Sequence, residues 1–178
     1  MLLTADLISS PGVVLHTNQG DIGIDLYAAE TPITVDNFLN YVNDGDYDNA
    51  VFHRSVPGFI IQAGGFSTTS EMLQGSAPEA IPTDPPILNE PGISNVRATV
   101  AMAKVGGDPH SATSQFFVNL KDNAFLDHSD RDFGYAVFGR VSDGMEIVDA
   151  IAGVNTGTVA GHQDVPLEPV VIVEVRQE

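Results

Sequence analysis

The sequence predicts a mainly β domain, an antiparallel sheet closed into a barrel, with a sandwich as the alternative. Three observations lead there. Short apolar runs of strand length recur from Val13 to Arg176, several of them alternating with polar residues. Only two segments have helical spacing, and they lie far apart, so the order is not the strand–helix alternation of a parallel sheet. A closed sheet would also bury the paired apolar runs and leave no free edges.

The elements follow in order. Val13, Val14 and Leu15 lead into the polar turn Asn18-Gln19-Gly20-Asp21. Ile22, Ile24 and Leu26 then alternate with Gly23 and Asp25, a hairpin with one buried face. A helix comes next, with Thr31 as its expected cap and Pro32 in its first turn. Val35, Phe38, Leu39 and Val42 share one face, and Gly45 supplies the left-handed stop. Segments 51–53 and 59–62 read as strands around a Pro57-Gly58 bend. Residues 65–95, rich in Ser, Thr and Pro, read as an ordered surface loop. Segments 99–103, 115–120 and 135–141 are further strands. The second helix is expected over 143–152, with Met145, Ile147, Val148 and Ile151 inward and Gly153 as its stop. A valine-rich strand over 169–176 closes the chain.

The chain of 178 residues, 43% hydrophobic, suits one domain with a sizeable core. No apolar run reaches the roughly 18–20 residues of a membrane span. The opening MLLTADLISSPG has no basic region and no small-residue cleavage site. It reads as an N-terminal arm over 1–11, ahead of a domain over 12–178. A soluble protein is expected, with the cytoplasm favoured over periplasm or exterior. There are 24 acidic and 7 basic residues, a net charge of -17. That surface repels nucleic acid and anionic lipid, which argues against both as partners. Scarce lysine also fits adaptation to high salt as a contributing cause. Monomer is the default state.

Several chemistries drop out. Without cysteine there is no disulfide, thiolate nucleophile or thiolate zinc site. No G-x-S-x-G elbow is present, and the five histidines lack H-x-x-x-H spacing. Asp44-x-Asp46-x-Asp48 opens like a calcium loop, but Asn49 replaces the turn glycine and Ser55 the bidentate glutamate. An acidic turn is the better reading. The glycines form neither phosphate-binding pattern, so no nucleotide cofactor is expected, nor any other cofactor or metal.

What remains is FHRSVPGFIIQAGG, residues 52–65. It combines a permanent cation, an amide and large apolar groups. Arg54 comes near Phe59 and Gln62 only if the two strands pair back across Pro57-Gly58. A barrel core with a surface arginine explains the pattern equally well.

This segment strongly resembles the signature of the cyclophilins, peptidyl-prolyl isomerases inhibited by cyclosporin. The resemblance continues through VAMAK (100–104), SATSQFFVNL (111–120), AFLD (124–127), YAVFGRV (135–141), DGMEIVDAI and GHQDVPLEPVVI. It runs from about Val13 to Val175 and is nearest the bacterial single-domain members. It implies an eight-stranded antiparallel barrel capped by two helices. It implies catalysis of cis/trans isomerisation at X-Pro bonds, in proline-containing peptides and unfolded proteins, as a folding helper. By position, Arg54 corresponds to the catalytic arginine. Phe59, Ile60, Phe117 and Leu126 correspond to the proline pocket, with Gln62 and Gln115 at its edge. Phe59 and Gln62 are grouped with Arg54 as catalytic. Ala103 and Lys104 correspond to the backbone groove. Phe125 and Tyr135 stand where many eukaryotic members have tryptophan and histidine, departures that bear on cyclosporin affinity more than on catalysis. A proline-binding module without turnover and a holdase are the competing functions. The intact set of Arg54, Gln62 and Phe117 argues against the first, and the acidic surface against the second.

Overall fold

The computed structural model describes residues 10–68 and 78–178. Residues 1–9 of the expected arm and 69–77 of the expected loop lie outside that description. The hairpin β1 (Gly12–Thr17) and β2 (Gly20–Leu26) forms as its alternation requires, with Ile22, Ile24 and Leu26 fully buried. Helix α1 spans Pro32–Asp44. The short strands β3 (Ala50–Val51), β4 (Arg54–Val56), β5 (Ile60–Ala63), β6 (Phe66–Ser67) and β7 (Glu79–Ala80) follow. Then come β8 (Thr99–Met102), β9 (Phe116–Asn119), a 3-10 turn at Ala124–Leu126, and β10 (Val137–Asp143). Helix α2 (Met145–Ala152), β11 (Thr156–Val159), β12 (His162–Pro166) and β13 (Val171–Gln177) complete the order.

The main sheet is antiparallel, in the order β4-β5-β9-β8-β10-β2-β1-β13-β3-β6-β7. β3 and β4 stand far apart in that order, yet only Phe52 and His53 separate them in sequence. Segment 50–56 therefore pairs with β13 at one end and β5 at the other, which brings the sheet round on itself. Taken as one interrupted strand, it gives the ring eight positions. The expected eight-stranded barrel is met approximately: one position in the wall is interrupted, and β6 and β7 extend the sheet beyond the ring. The β11–β12 hairpin is a separate two-stranded ribbon that the sequence reading did not include.

Alternation sorts the side chains into two apolar clusters. Ile61, Ala63, Val100, Met102, Phe116, Val118 and Phe138 point into the barrel core, which α1 and α2 also cover through Phe38 and Ile151. Ile60, Ala101, Phe117 and Val137, the alternate residues of the same strands, build a second cluster with Leu126. One run, Phe116-Phe117, thus feeds both.

The cap of α1 differs from expectation. Thr31 occupies the N-cap position but makes no cap bond; its hydroxyl donates instead to the Tyr27 carbonyl. The free N–H groups of Ile33 and Thr34 donate to the Glu90 carboxylate at 3.2 and 2.7 Å, and the Thr34 hydroxyl adds a third bond. A carboxylate at a helix N-terminus also meets a favourable dipole. The same contact fastens the proline-rich loop, which Asp84 ties to the Tyr41 hydroxyl and Ile87 to the Ala112 carbonyl. At the other end, Gly45 takes φ 76° and closes the helix as expected. α2 starts two residues later than expected, at Met145.

Candidate active site

The second apolar cluster underlies the site. Pro57 and Gly58 turn β4 back on β5, with Gly58 at φ 69° and the Phe59 N–H donating to the Val56 carbonyl. That turn sets the register Arg54↔Gln62. The register continues Gln62↔Phe117, Phe117↔Ala101 and Ala101↔Val137. Five strands thus contribute one transverse row, and directly opposed residues share a face. The row places a guanidinium, an amide and an aromatic ring side by side on the surface away from the barrel core.

A cavity of about 230 Å³ opens on this row. It is smaller than the ~300–1,000 Å³ typical of sites for drug-sized ligands, and suits one small ring. Arg54, Phe59, Ile60, Phe117, Leu126 and Tyr135 line it. Gln62, Ala103 and Lys104 separate it from a second, polar cavity of about 150 Å³, which Ser111, Thr113 and Gln115 line. The Arg54 guanidinium carbon lies 5.9 Å from the Phe59 ring centroid. Phe117 and Tyr135 meet edge to face at 5.6 Å, and the Lys104 ammonium lies 4.2 Å from the Tyr135 centroid.

The structure brings nine of the eleven sequence-expected site residues to the first cavity. Gln115 lies one step away, in the polar cavity, where its Oε1 accepts a 2.8 Å bond from Gln62 Nε2. That bond fixes the Gln62 amide between the two cavities. Gly65 permits it, since a Cβ there would come within 2.7 Å of the Gln115 side chain. Phe125 is outside the cavity lining. It stacks on Phe59 at 5.6 Å and is 67% exposed, an outer rim.

Sequence reasoning missed the polar scaffold beneath the site. Asn119 is fully buried, and its Nδ2 donates to Asn95 Oδ1 and Thr99 Oγ1 at 3.1 and 2.9 Å. Its Oδ1 accepts from Asn123 Nδ2 at 2.9 Å, and Asn123 Nδ2 also reaches the Phe59 carbonyl. Asn95 Nδ2 reaches the Leu126 carbonyl and Asp127 Oδ1. Burial pushes the Asp127 carboxyl up, but hydrogen bonds from Ser94 and Asn95 outweigh it and hold it below the usual range. Three cavity-forming segments, around Phe59, Leu126 and Tyr135, are thereby fixed to one network. Asn119 and Asn123 lie four residues apart and Asn95 lies 24 residues before Asn119, and nothing in the chain shows that these side chains converge.

Next to Arg54, His53 is buried against Phe66, and its Nδ1 has no partner. Burial, then His162 and Arg54, push it down to about 4, so it stays neutral near pH 7. Among the described residues, no group of three or more His, Asp or Glu side chains could hold a metal ion. No helix there is long and apolar enough to cross a membrane.

Residues 12–177 match the family model for cyclophilin type peptidyl-prolyl cis-trans isomerases. A peptidyl-prolyl cis-trans isomerase of Streptomyces antibioticus is 53% identical over 165 residues, covering 90% of this chain and 94% of its own. Peptidyl-prolyl cis-trans isomerase B of Escherichia coli is 48% identical over 168 residues, covering 92% of this chain and 97% of its own. Among solved structures, a cyclophilin type isomerase of Cryptosporidium parvum superposes with a TM-score of 0.73 at 25% identity, covering 94% of this chain and 97% of that one. The same Cryptosporidium protein in the presence of the dipeptide Ala-Pro superposes with a TM-score of 0.72.

Proposed function

The chain belongs to the cyclophilin-type peptidyl-prolyl cis-trans isomerases, and we propose that Arg54 and the apolar cavity beside it rotate X-Pro bonds in peptides and unfolded chains. The observation that carries this reading is the row of Arg54, Gln62 and Phe117 across β4, β5 and β9.

The physics of the reaction suits such a row. Amide resonance sets a barrier of about 18–20 kcal/mol. No covalent bond breaks, so the reaction needs no nucleophile. In the twisted transition state the prolyl nitrogen becomes pyramidal and regains its lone pair. A donor aimed at that nitrogen stabilises the twisted state over the planar one. Arginine keeps its charge at all working pH values and presents its donors in a rigid fork. The ring of proline enters the cavity between Phe59, Ile60, Phe117 and Leu126, which holds one side of the bond. The Gln62 amide, held by Gln115, and the backbone at Ala103 hold the other side. Apolar walls keep water from the Arg54 donors and strengthen their effect. The site is complete within one chain, so a monomer suffices. Cyclosporin is a candidate ligand for the same groove, with Phe125 and Tyr135 setting its affinity.

The test is turnover. A protease-coupled assay on a proline tetrapeptide, at sub-micromolar protein, should show accelerated cis-to-trans conversion. Peptide binding by titration without acceleration would instead assign a proline-recognition module.

A further inference from the structure

We infer that Lys104 is a specificity-determining residue, selecting proline sites that carry a carboxylate side chain within two residues of the proline. The inference rests on the isomerase reading of the site and deepens it.

The chain has only seven basic residues against 24 acidic ones. Two of the seven, Arg54 and Lys104, line one cavity. Among the described residues, neither forms an ion pair, as Arg97 does with Asp149 and Arg176 with Glu174; Lys121, Arg131 and Arg140 are also without one, but none of these lines the cavity. No carboxylate among the described residues lines that cavity or the polar one beside it. On a surface this acidic, two unneutralised cations around one site make a local reversal of sign.

Lys104 is also held in place. Its side chain is half-buried, with the ammonium over the face of Tyr135 at 4.2 Å. Tyr135 in turn is braced edge to face on Phe117 in the cavity wall. The ring contact leaves the full charge available to a ligand, since a ring supplies no counter-charge. Lys104 lines both cavities, so it reaches a chain that has its proline in one and a neighbouring side chain at the other.

Range decides between the local and the global charge. At physiological salt the screening length is about 8 Å, so most of the acidic surface acts weakly on a bound peptide. A charge within contact distance of Lys104 is screened far less. The near cation therefore sets the sign of the preference, while the distant carboxylates slow encounter with acidic chains only modestly.

The experiment uses six-residue peptides with one X-Pro bond. Glu, Gln or Lys is placed in turn at each of the two positions before and after the proline. Exchange spectroscopy of the cis and trans signals gives kcat/KM at about 0.15 M salt. The wild type should favour Glu over Lys by about fivefold at one position or more. Lys104→Gln should bring that ratio to about one, and Lys104→Glu should invert it, a reversal that loss of packing alone would not produce. If Lys104→Glu does not fold, Lys104→Gln decides. A wild-type ratio within about twofold at every position, or an equal ratio in Lys104→Gln, overturns the inference. Catalysis of the Gln peptides without charge discrimination defeats this inference alone. Failure to catalyse them defeats the isomerase reading as well.

Discussion

Asn119→Ala should cost about 4 kcal/mol of stability and loosen the site without touching a substrate. The figure follows from its contacts. Three hydrogen bonds are lost, to Asn95, Thr99 and Asn123, each worth about 1 kcal/mol net. Asn95 Oδ1 is left buried without the donor that served it, a further cost of about 1–3 kcal/mol. Thr99 Oγ1 still donates to the Val96 carbonyl and Asn123 Nδ2 keeps the Phe59 carbonyl, so those two groups add little. The total is a large part of the ~5–15 kcal/mol that keeps a domain folded. With a urea slope of about 2 kcal/mol per molar, the midpoint should fall by about 2 M. Circular dichroism against urea reads that shift, and kcat/KM below the transition should drop as Asn123 and Asn95, which hold the Phe59 and Leu126 carbonyls, lose the link between them. A double-mutant cycle with Asn95→Ala should show about 1 kcal/mol of coupling. A stability loss below about 1 kcal/mol, or no coupling, would refute the claim that the asparagines hold the pocket.

Two further outcomes follow from buried groups. His53 binds a proton near pH 6.5 when unfolded but only near 4 when folded. The unfolded chain therefore takes up more protons between those values, and stability falls with pH across that window, by about 3 kcal/mol in total. Urea midpoints measured from pH 7 to 4 should show the decline, and His53→Leu should flatten it; an unchanged slope in that variant would assign the acid sensitivity elsewhere. Glu90→Ala should cost about 2 kcal/mol by uncapping α1, with faster amide exchange at Ile33 and Thr34; slow exchange there would mean that water or another group caps the helix equally well.

Much of this fold can be read from the chain because its signals are local. Ile22, Ile24 and Leu26 alternate, and they are buried. Pro57-Gly58 specifies a tight turn, and the turn alone sets the register that puts Arg54 opposite Gln62. From there alternation separates Phe117 from Phe116. The less legible features are long-range. Glu90 caps a helix that starts nearly sixty residues earlier, displacing Thr31, which had the better local claim. The asparagine network joins residues far apart in the chain: Asn95 and Asn123 alone look like turn residues, and Asn119 ends a strand. The strand expected over 51–53 instead breaks at Phe52-His53, because the segments on either side, β3 and β4, serve different neighbours. In AFLD, the 3-10 turn presents Leu126 inward and leaves Phe125 exposed at the rim.

The claim that matters most is that a fixed positive donor at Arg54 stabilises the twisted peptide bond. Its most direct measurement is kcat/KM of Arg54→Ala on a proline peptide, with the fold verified by circular dichroism. The site predicts a loss of two orders of magnitude or more, about 3 kcal/mol of transition-state stabilisation. A folded Arg54→Ala protein with wild-type turnover would contradict it.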